Sequence, residues 1–165
     1  MVLPHLDAAY NLARWLAGND HDAQDVAQEA NLRAFRFFGS FRGDNARAWL
    51  LTIVRNTFYT WLKKNRPPEK TVAIDDETLD IEDVSANAET ARPQFADADA
   101  VRRAIAGLPV EFREIVVLRE MEGFSYKEIA DVAEVPIGTV MSRLARARKL
   151  LQKLLAAEFD PGDKR

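Results

Sequence analysis

The residues best placed to do chemistry sit near the C-terminus, where positions 136–153 hold Arg143, Arg146, Arg148, Lys149 and Lys153 and no acid. At 100° per residue, Val140, Leu144, Ala147, Leu151 and Leu154 share one side of a helix. Met141, Ser142, Ala145, Arg146, Lys149 and Lys153 share the other. The second side is small at its N-terminal end, which lets a backbone approach a groove, and its cations can reach phosphates or guanine edges. A lone basic stripe is more often a solvated helix face. Here it follows Ser125-Tyr126-Lys127-Glu128, a capping box opening a short helix to about Ala133, and then the turn at Val135-Pro136. A capped helix, a turn and a long basic helix make a helix-turn-helix, which reverses those odds and points to duplex DNA.

A second stripe lies upstream. Asn45, Thr52, Asn56, Tyr59 and Lys63 fall on one side of a helix with Trp49 beside them, while Leu50, Val54, Phe58, Trp61 and Leu62 occupy the other. Neutral hydrogen-bonding groups flanked by an aromatic and a cation suit unstacked nucleotides, because bases stack on rings and amides read base edges. Eight of the fifteen aromatics lie between Phe35 and Trp61, and most of these are expected in the core. Nucleotide contact is therefore confined to the stripe and to the loop Phe41, Arg42, Gly43, Asp44 and Asn45. Farther upstream, Asp22 and Asp25 in a first helical turn are explained by the helix dipole. Gln28, Glu29 and Leu32 need a partner to explain them, and composition alone leaves a docking surface no better than even.

These residues must be positioned by helices. Short helices are expected at Leu6 to Ala17, from a cap at Asp20 or Asp22 to about Phe38, and from near Asp44 to before Pro67, with a loop from Gly39 to Asn45. Downstream, helices are expected at Ala98 to Gly107, Val110 to Met121, Ser125 to about Ala133, and from Pro136 to about Glu158. No segment alternates as a strand does, so the fold class is all-α. Between Pro67 and Gln94 the chain shows neither period, and residues 67–96 carry two Lys/Arg against eight Asp/Glu. Residues 1–66 carry nine against six, and 97–165 twelve against twelve, so a net charge of −3 hides an acidic middle. Two small helical domains, 1–66 and 97–165, joined by a flexible acidic linker are expected.

Composition excludes much else. With 165 residues, no cysteine and two histidines, His5 and His21, the chain has no disulfide, thiolate metal site or cysteine nucleophile. It also lacks a glycine-rich phosphate loop and a nucleophile elbow. The clusters Asp75-Asp76-Glu77 and Asp80, Glu82, Asp83 lack the glycine and ligand intervals of a calcium loop and read as solvated linker. No catalytic residue, metal or cofactor is expected. The apolar run from Trp49 to Val54 is far short of the ~20 residues of a membrane helix, and no leader precedes it, so a cytoplasmic chain without membrane insertion is expected.

Taken in order, DAQDVAQEANLRAF, SFRGDNARAWLLTIVRN, LPVEFREIVVLREMEGFSYKEIA and VPIGTVMSRLARARKLL resemble the conserved segments of the extracytoplasmic-function (ECF) sigma factors of bacterial RNA polymerase. The first two resemble the family's region 2 and the last two its region 4, and the match spans nearly the whole chain outside the linker. The resemblance implies a subunit that lends promoter preference to core RNA polymerase and has no enzymatic activity of its own. It implies that Asp25, Gln28, Glu29 and Leu32 face the clamp helices of the largest polymerase subunit. It implies that the Phe41 to Asn45 loop receives a flipped minus-ten base, with Trp49, Thr52, Asn56, Tyr59 and Lys63 near it. Arg119, Ser125, Tyr126, Lys127, Thr139, Met141, Ser142, Arg143, Ala145, Arg146 and Lys149 would meet the minus-thirty-five duplex. Thr52 and Met141 stand where relatives often carry a cation, which bears on the promoter preferred. An anti-sigma factor is also implied as a partner, and the start at Met1 reads as slightly short.

Two other readings make different demands. A dimeric operator-binding regulator would bind its DNA without polymerase, and a carboxylate enzyme would need an ordered metal site near Asp75 to Asp83. Apolar surface left open between the two halves would suit an anti-sigma partner, whereas a sealed monomer would suit self-inhibition.

Overall fold

A computed structural model describes residues 3–41, 43, 45–65 and 98–158. The described residues are helices and turns, with no strand among them, in keeping with the all-α expectation. The acidic segment expected as a linker, with Asp75 to Asp83, lies outside the described residues, as do Arg42 and Asp44.

The first half is a three-helix bundle of α1 (Leu6–Ala17), α2 (Asp20–Arg36) and α3 (Ala46–Asn65). Gly18, at φ 90°, ends α1 and donates its N–H to Arg14 O. The cap of α2 is Asn19 rather than Asp20 or Asp22. Its Oδ1 accepts from Asp22 N–H at 2.8 Å, while Asp20, paired with Arg14 at 2.7 Å, and Asp22, which accepts from Asn19 Nδ2 at 2.9 Å, lie at the positive end of the helix dipole. Helix α2 buries Ala23, Val26, Ala27, Ala30 and Ala34, so its inward side is almost wholly small and its neighbours approach closely. It stops at Arg36, two residues earlier than expected, and Phe38–Ser40 form a single 3-10 turn. Helix α3 starts later than expected, because Asn45 Oδ1 caps the Ala48 N–H at 3.0 Å. Its Leu50, Leu51, Val54 and Phe58 meet Leu12, Leu16 and Val26 in the core.

The second half contains α4 (Ala98–Ala106), α5 (Val110–Val116), α6 (Tyr126–Ala133) and α7 (Ile137–Glu158). The expected Val110 to Met121 helix is α-helical only to Val116 and widens into a π turn over Val117–Met121. Gly123, at φ 71°, then reverses the chain. Ser125 and Glu128 form the expected capping box, with Glu128 N–H donating to Ser125 Oγ at 3.1 Å and Ser125 N–H to Glu128 Oε1 at 2.8 Å. Helix α6 ends at Glu134, which holds φ 59° without being a glycine.

The halves pack against each other along α3 with α6 and α1 with α5. Their buried residues form one continuous cluster, in which Ile105, Leu108, Phe112, Ile115, Leu118, Ile129, Val132, Val140 and Leu144 supply the second half's share. No helix among the described residues is long and apolar enough to cross a membrane.

Candidate nucleic-acid and polymerase interfaces

The helix-turn-helix is built by α6 and α7. Lys127 and Met141 stand exposed at its outer edge, and Thr139, Ser142, Arg143, Ala145 and Lys149 are half-buried. Ser142 Oγ donates to Thr139 O at 3.2 Å, so that hydroxyl is held against its own helix. Arg119 leaves the π turn to donate to Phe124 O at 2.9 Å, and its guanidinium lies 4.6 Å from the centre of the Tyr126 ring. Two residues of the expected duplex face are thus braced together before any ligand arrives.

Arg146 differs from the expectation of an outward face: it is 6 % exposed. Helix α7 is covered by α4, α5 and α6 together, and three neighbours enclose a wider sector than the single apolar stripe suggested. Val140, Leu144 and Ala147 are buried as the wheel requires.

In the first half, Phe38, Phe41 and Trp49 form an aromatic cluster, with Trp49 centred 5.2 Å from Phe41 and 6.2 Å from Phe38. Phe41 and Trp49 are half-buried in it, and Gly43 and Asn45, the other described residues of the loop, are exposed. Along α3, Thr52 Oγ1 turns back to Ala48 O at 2.7 Å, Asn56 Oδ1 accepts from Arg55 at 3.2 Å, and Lys63 is exposed.

Thr52, Asn56 and Tyr59 are half-buried, and two members of the stripe bond across the seam. Tyr59 Oη donates to Glu114 Oε2 at 2.8 Å, and Arg55 Nε donates to Glu114 Oε1 at 2.8 Å. Asn45 Nδ2 donates to Glu128 Oε2 at 2.7 Å. Arg47 donates to the Glu122 carbonyl and lies 4.5 Å from the centre of the Phe124 ring, and Arg113 donates to Leu16 O at 3.0 Å.

Glu114 is fully buried, and burial pushes its carboxyl above the ordinary value despite the opposing pull of Arg55 and Tyr59. Tyr59 is raised by burial and by the nearby Glu114 charge. Burial pulls Arg55 down, but its bond to Glu114 and the negative charge around it together outweigh this and the net push is up. Glu122 is raised by burial against the pull of Arg47, while Glu128 is lowered, first by the Ser125 N–H.

On α2, Asp25, Gln28, Glu29 and Leu32 share an exposed face, with Leu32 at 54 % and Glu29 paired to Arg33 at 3.2 Å. Phe35, one turn on, is 86 % exposed, and Phe37 and Phe38 are also exposed. This narrows the expectation that most of these aromatics are core: of the eight, Phe58 is fully buried and Trp49, Tyr59 and Trp61 pack half-buried against the core. The alanines at 23, 27, 30 and 34 mark the inward side of α2 and therefore put Phe35 outside, a signal present in the sequence. The roles of Arg47, Arg55 and Glu122 carried no such signal, since they depend on which helices meet. Glu114 gave one hint, as a lone carboxylate within the apolar run from Phe112 to Leu118.

Among the described residues one group, His21, Asp22 and Asp25, brings ligand atoms within 4.8 Å of one another. It spans the first two turns of α2, at the end where the helix dipole disfavours a cation.

Residues 1–67 match the family model described as sigma-70 region 2, and residues 98–151 match sigma-70, region 4. The RNA polymerase sigma-H factor of Pseudomonas aeruginosa is 41 % identical over 142 residues, covering 81 % of this chain and 73 % of that protein. The ECF RNA polymerase sigma-E factor of Escherichia coli K12 is 39 % identical over 138 residues, covering 79 % and 72 %. Among solved structures, the sigma factor RpoE in complex with the anti-sigma factor NepR from Bartonella quintana superimposes with a TM-score of 0.70 at 28 % identity, covering 95 % of each chain. CnrH in complex with the cytosolic domain of CnrY gives 0.64 at 28 % identity, covering 95 % of this chain and 86 % of that one. Two family models flanking the acidic segment in the right order, together with relatives matched over most of their length, show that the chain belongs to the sigma-70 family and, within it, to the ECF sigma factors, transcription initiation factors without enzymatic activity.

Proposed function

We propose that this sigma factor positions bacterial RNA polymerase by two separate grips on promoter DNA. The exposed edge of α6 and the N-terminal turns of α7 take the minus-thirty-five duplex: Lys127, Met141 and Ser142 lie nearest the groove, Arg119, Tyr126, Arg143 and Lys149 supply cations and bracing, and the buried Arg146 supports α7 from within. The loop over Phe38, Phe41 and Trp49 takes an unstacked minus-ten base. Asn45, Thr52, Asn56, Tyr59 and Lys63 follow the strand beyond it. Capture of that base offsets part of the few kcal/mol needed to unstack it. Residues 1–66 and 97–165 act as the two modules, with the acidic segment between them.

The face of α2 carrying Asp25, Gln28, Glu29, Leu32 and Phe35 docks on the clamp helices of the polymerase, and the protein works in the cytoplasm, where that enzyme acts. An anti-sigma factor restrains it, as the complexes of the similar RpoE and CnrH with NepR and CnrY suggest.

The observation that carries the reading is the exposed apolar end of α2 on the same half as the aromatic loop. A face with Leu32 and Phe35 bare to solvent calls for a protein partner beside the nucleic-acid site. The test is run-off transcription by core polymerase on a promoter library, with and without the chain. Promoter-dependent transcripts that appear only with it are expected. Their absence overturns the proposal.

A further inference from the structure

Helix α7 opens with surface that its cations do not explain. Ile137 and Met141, one turn apart, are 44 % and 51 % exposed. Gly138 beside them is also exposed, with nothing within 4 Å of the place a Cβ would take. On a helical wheel Ile137, Met141 and the half-buried Ala145 follow one another within an arc of about 80°, so an apolar ridge runs along the outer side of the first turns. Its setting suits a polyanion. Positions 136–153 carry five cations and no acid, and Lys127 stands exposed on α6. Duplex DNA meets both demands at once, with phosphates along the backbone and, in the major groove, the C5 methyl of thymine as an apolar group among the hydrogen-bonding base edges.

From this ridge we infer that Met141, backed by Ile137, reads the methyl group of one thymine in the minus-thirty-five element. The inference rests on the proposed placement of α7 in the major groove and names the base that this placement selects. The N-terminal residues of a recognition helix are the ones that reach base edges. A cation at position 141 would donate to guanine O6 and N7. A thioether has no proton to give, so its favourable contact is with an apolar edge, and an unbranched, polarisable side chain moulds itself to a methyl. Gly138 presents no side chain, which lets the groove come close to the helix backbone beside Met141. Ser142, the next residue, spends its proton on Thr139 O at 3.2 Å. Its oxygen is left with lone pairs, which suit the amino group of adenine or cytosine. The two positions together favour a thymine close to an amino-bearing base.

The test uses the full chain assembled with core polymerase, on the minus-thirty-five element that the assembly selects from a random duplex library. Each thymine of that element is replaced in turn by deoxyuridine, which keeps every hydrogen-bonding group and removes only the methyl. At one thymine the replacement is expected to weaken binding about threefold to fivefold, the worth of one buried methyl. With Met141→Ala, thymine and uracil at that position are expected to bind alike. Met141→Leu keeps an apolar side chain of similar volume and is expected to restore the difference, a rescue that a misfolded helix would not show. Met141→Lys is expected to move the preference at that base pair toward guanine. A selected element without thymine, thymines that all tolerate loss of the methyl, or a sensitivity that Met141→Ala leaves unchanged overturns the inference. So does a Met141→Ala chain that assembles poorly with core polymerase while the wild type binds both duplexes alike, since the ridge is then a protein contact. A library that yields no common element overturns the proposed grip of α7 as well, which tells the two failures apart.

Discussion

Glu114, Glu122 and Glu128 lie within one seam and respond to acid in opposite senses. Glu114 faces Arg55 and Tyr59 from α3 and feels Arg143 from α7, yet burial dominates and raises its carboxyl above 4.5, as burial also does for Glu122. A raised carboxylate binds more protons in the folded chain than in the unfolded one. Its penalty on folding is therefore present above the raised value and fades as pH falls toward 4.5. Glu128 is lowered, first by the Ser125 N–H of its own capping box, so its favourable contribution to folding is present above 4.5 and is lost as pH falls through its depressed value. Stability is thus expected to rise on mild acidification from neutral pH and to fall again below the ordinary carboxylate range. The midpoint of thermal unfolding followed across that range checks this, and a monotonic fall with acid would contradict it. The Ser125 bond was legible as a capping box, whereas Arg55 and Tyr59 beside Glu114 and Arg47 beside Glu122 were not, because those bonds join residues far apart in the chain and depend on how two bundles meet. By contrast, the alternation of Leu50, Val54 and Phe58 with the polar stripe requires only the pitch of one helix, and it was legible.

At the scale of elements, local signals set most boundaries and failed where two were in competition. Ser125 with Glu128, Gly107 with Pro109, and Gly18 each end or begin a helix at the expected place. Asn19 took the cap that Asp20 or Asp22 was expected to hold, since either side chain can satisfy the same N–H and a residue or two decides which is in register, and Asn45 caps the helix expected to begin near Asp44. The π turn at Val117–Met121 has no sequence signature of that kind. Glu134 closes α6 in a left-handed conformation that costs about 1–2 kcal/mol for a residue with a side chain. Against the flexibility that glycine adds to the unfolded chain, Glu134→Gly is expected to gain about 0.5–1 kcal/mol, visible as a higher midpoint in thermal unfolding. An unchanged or lower midpoint would mean that the Glu134 side chain contributes a contact of its own. On α7, Arg143 is half-buried, and Arg143→Ala is expected to cost about 1–3 kcal/mol of discrimination at one base pair of the minus-thirty-five element. Lys149→Ala should weaken all sequences alike. Competition binding of the polymerase complex on single-base variants separates the two, and uniform weakening by Arg143→Ala would assign it to phosphate.

The molecule as a whole is acidic, with a net charge of −3, and carries its basic surface in two modest patches. The free chain is therefore expected to bind promoter duplex weakly at ~0.15 M salt and firmly only within the polymerase complex. Tight sequence-specific binding by the isolated chain, measured by fluorescence anisotropy, would contradict that. Family and helix content were readable from sequence because they follow from spacing within each half. The burial of Arg146 was not, since it required knowing that three helices cover α7.

Leu32, Phe35 and Phe37 stand exposed at the C-terminal end of α2. Bare apolar surface of this kind invites self-association. The quantity of free subunit that stays dispersed is therefore bounded by how promptly that surface is covered.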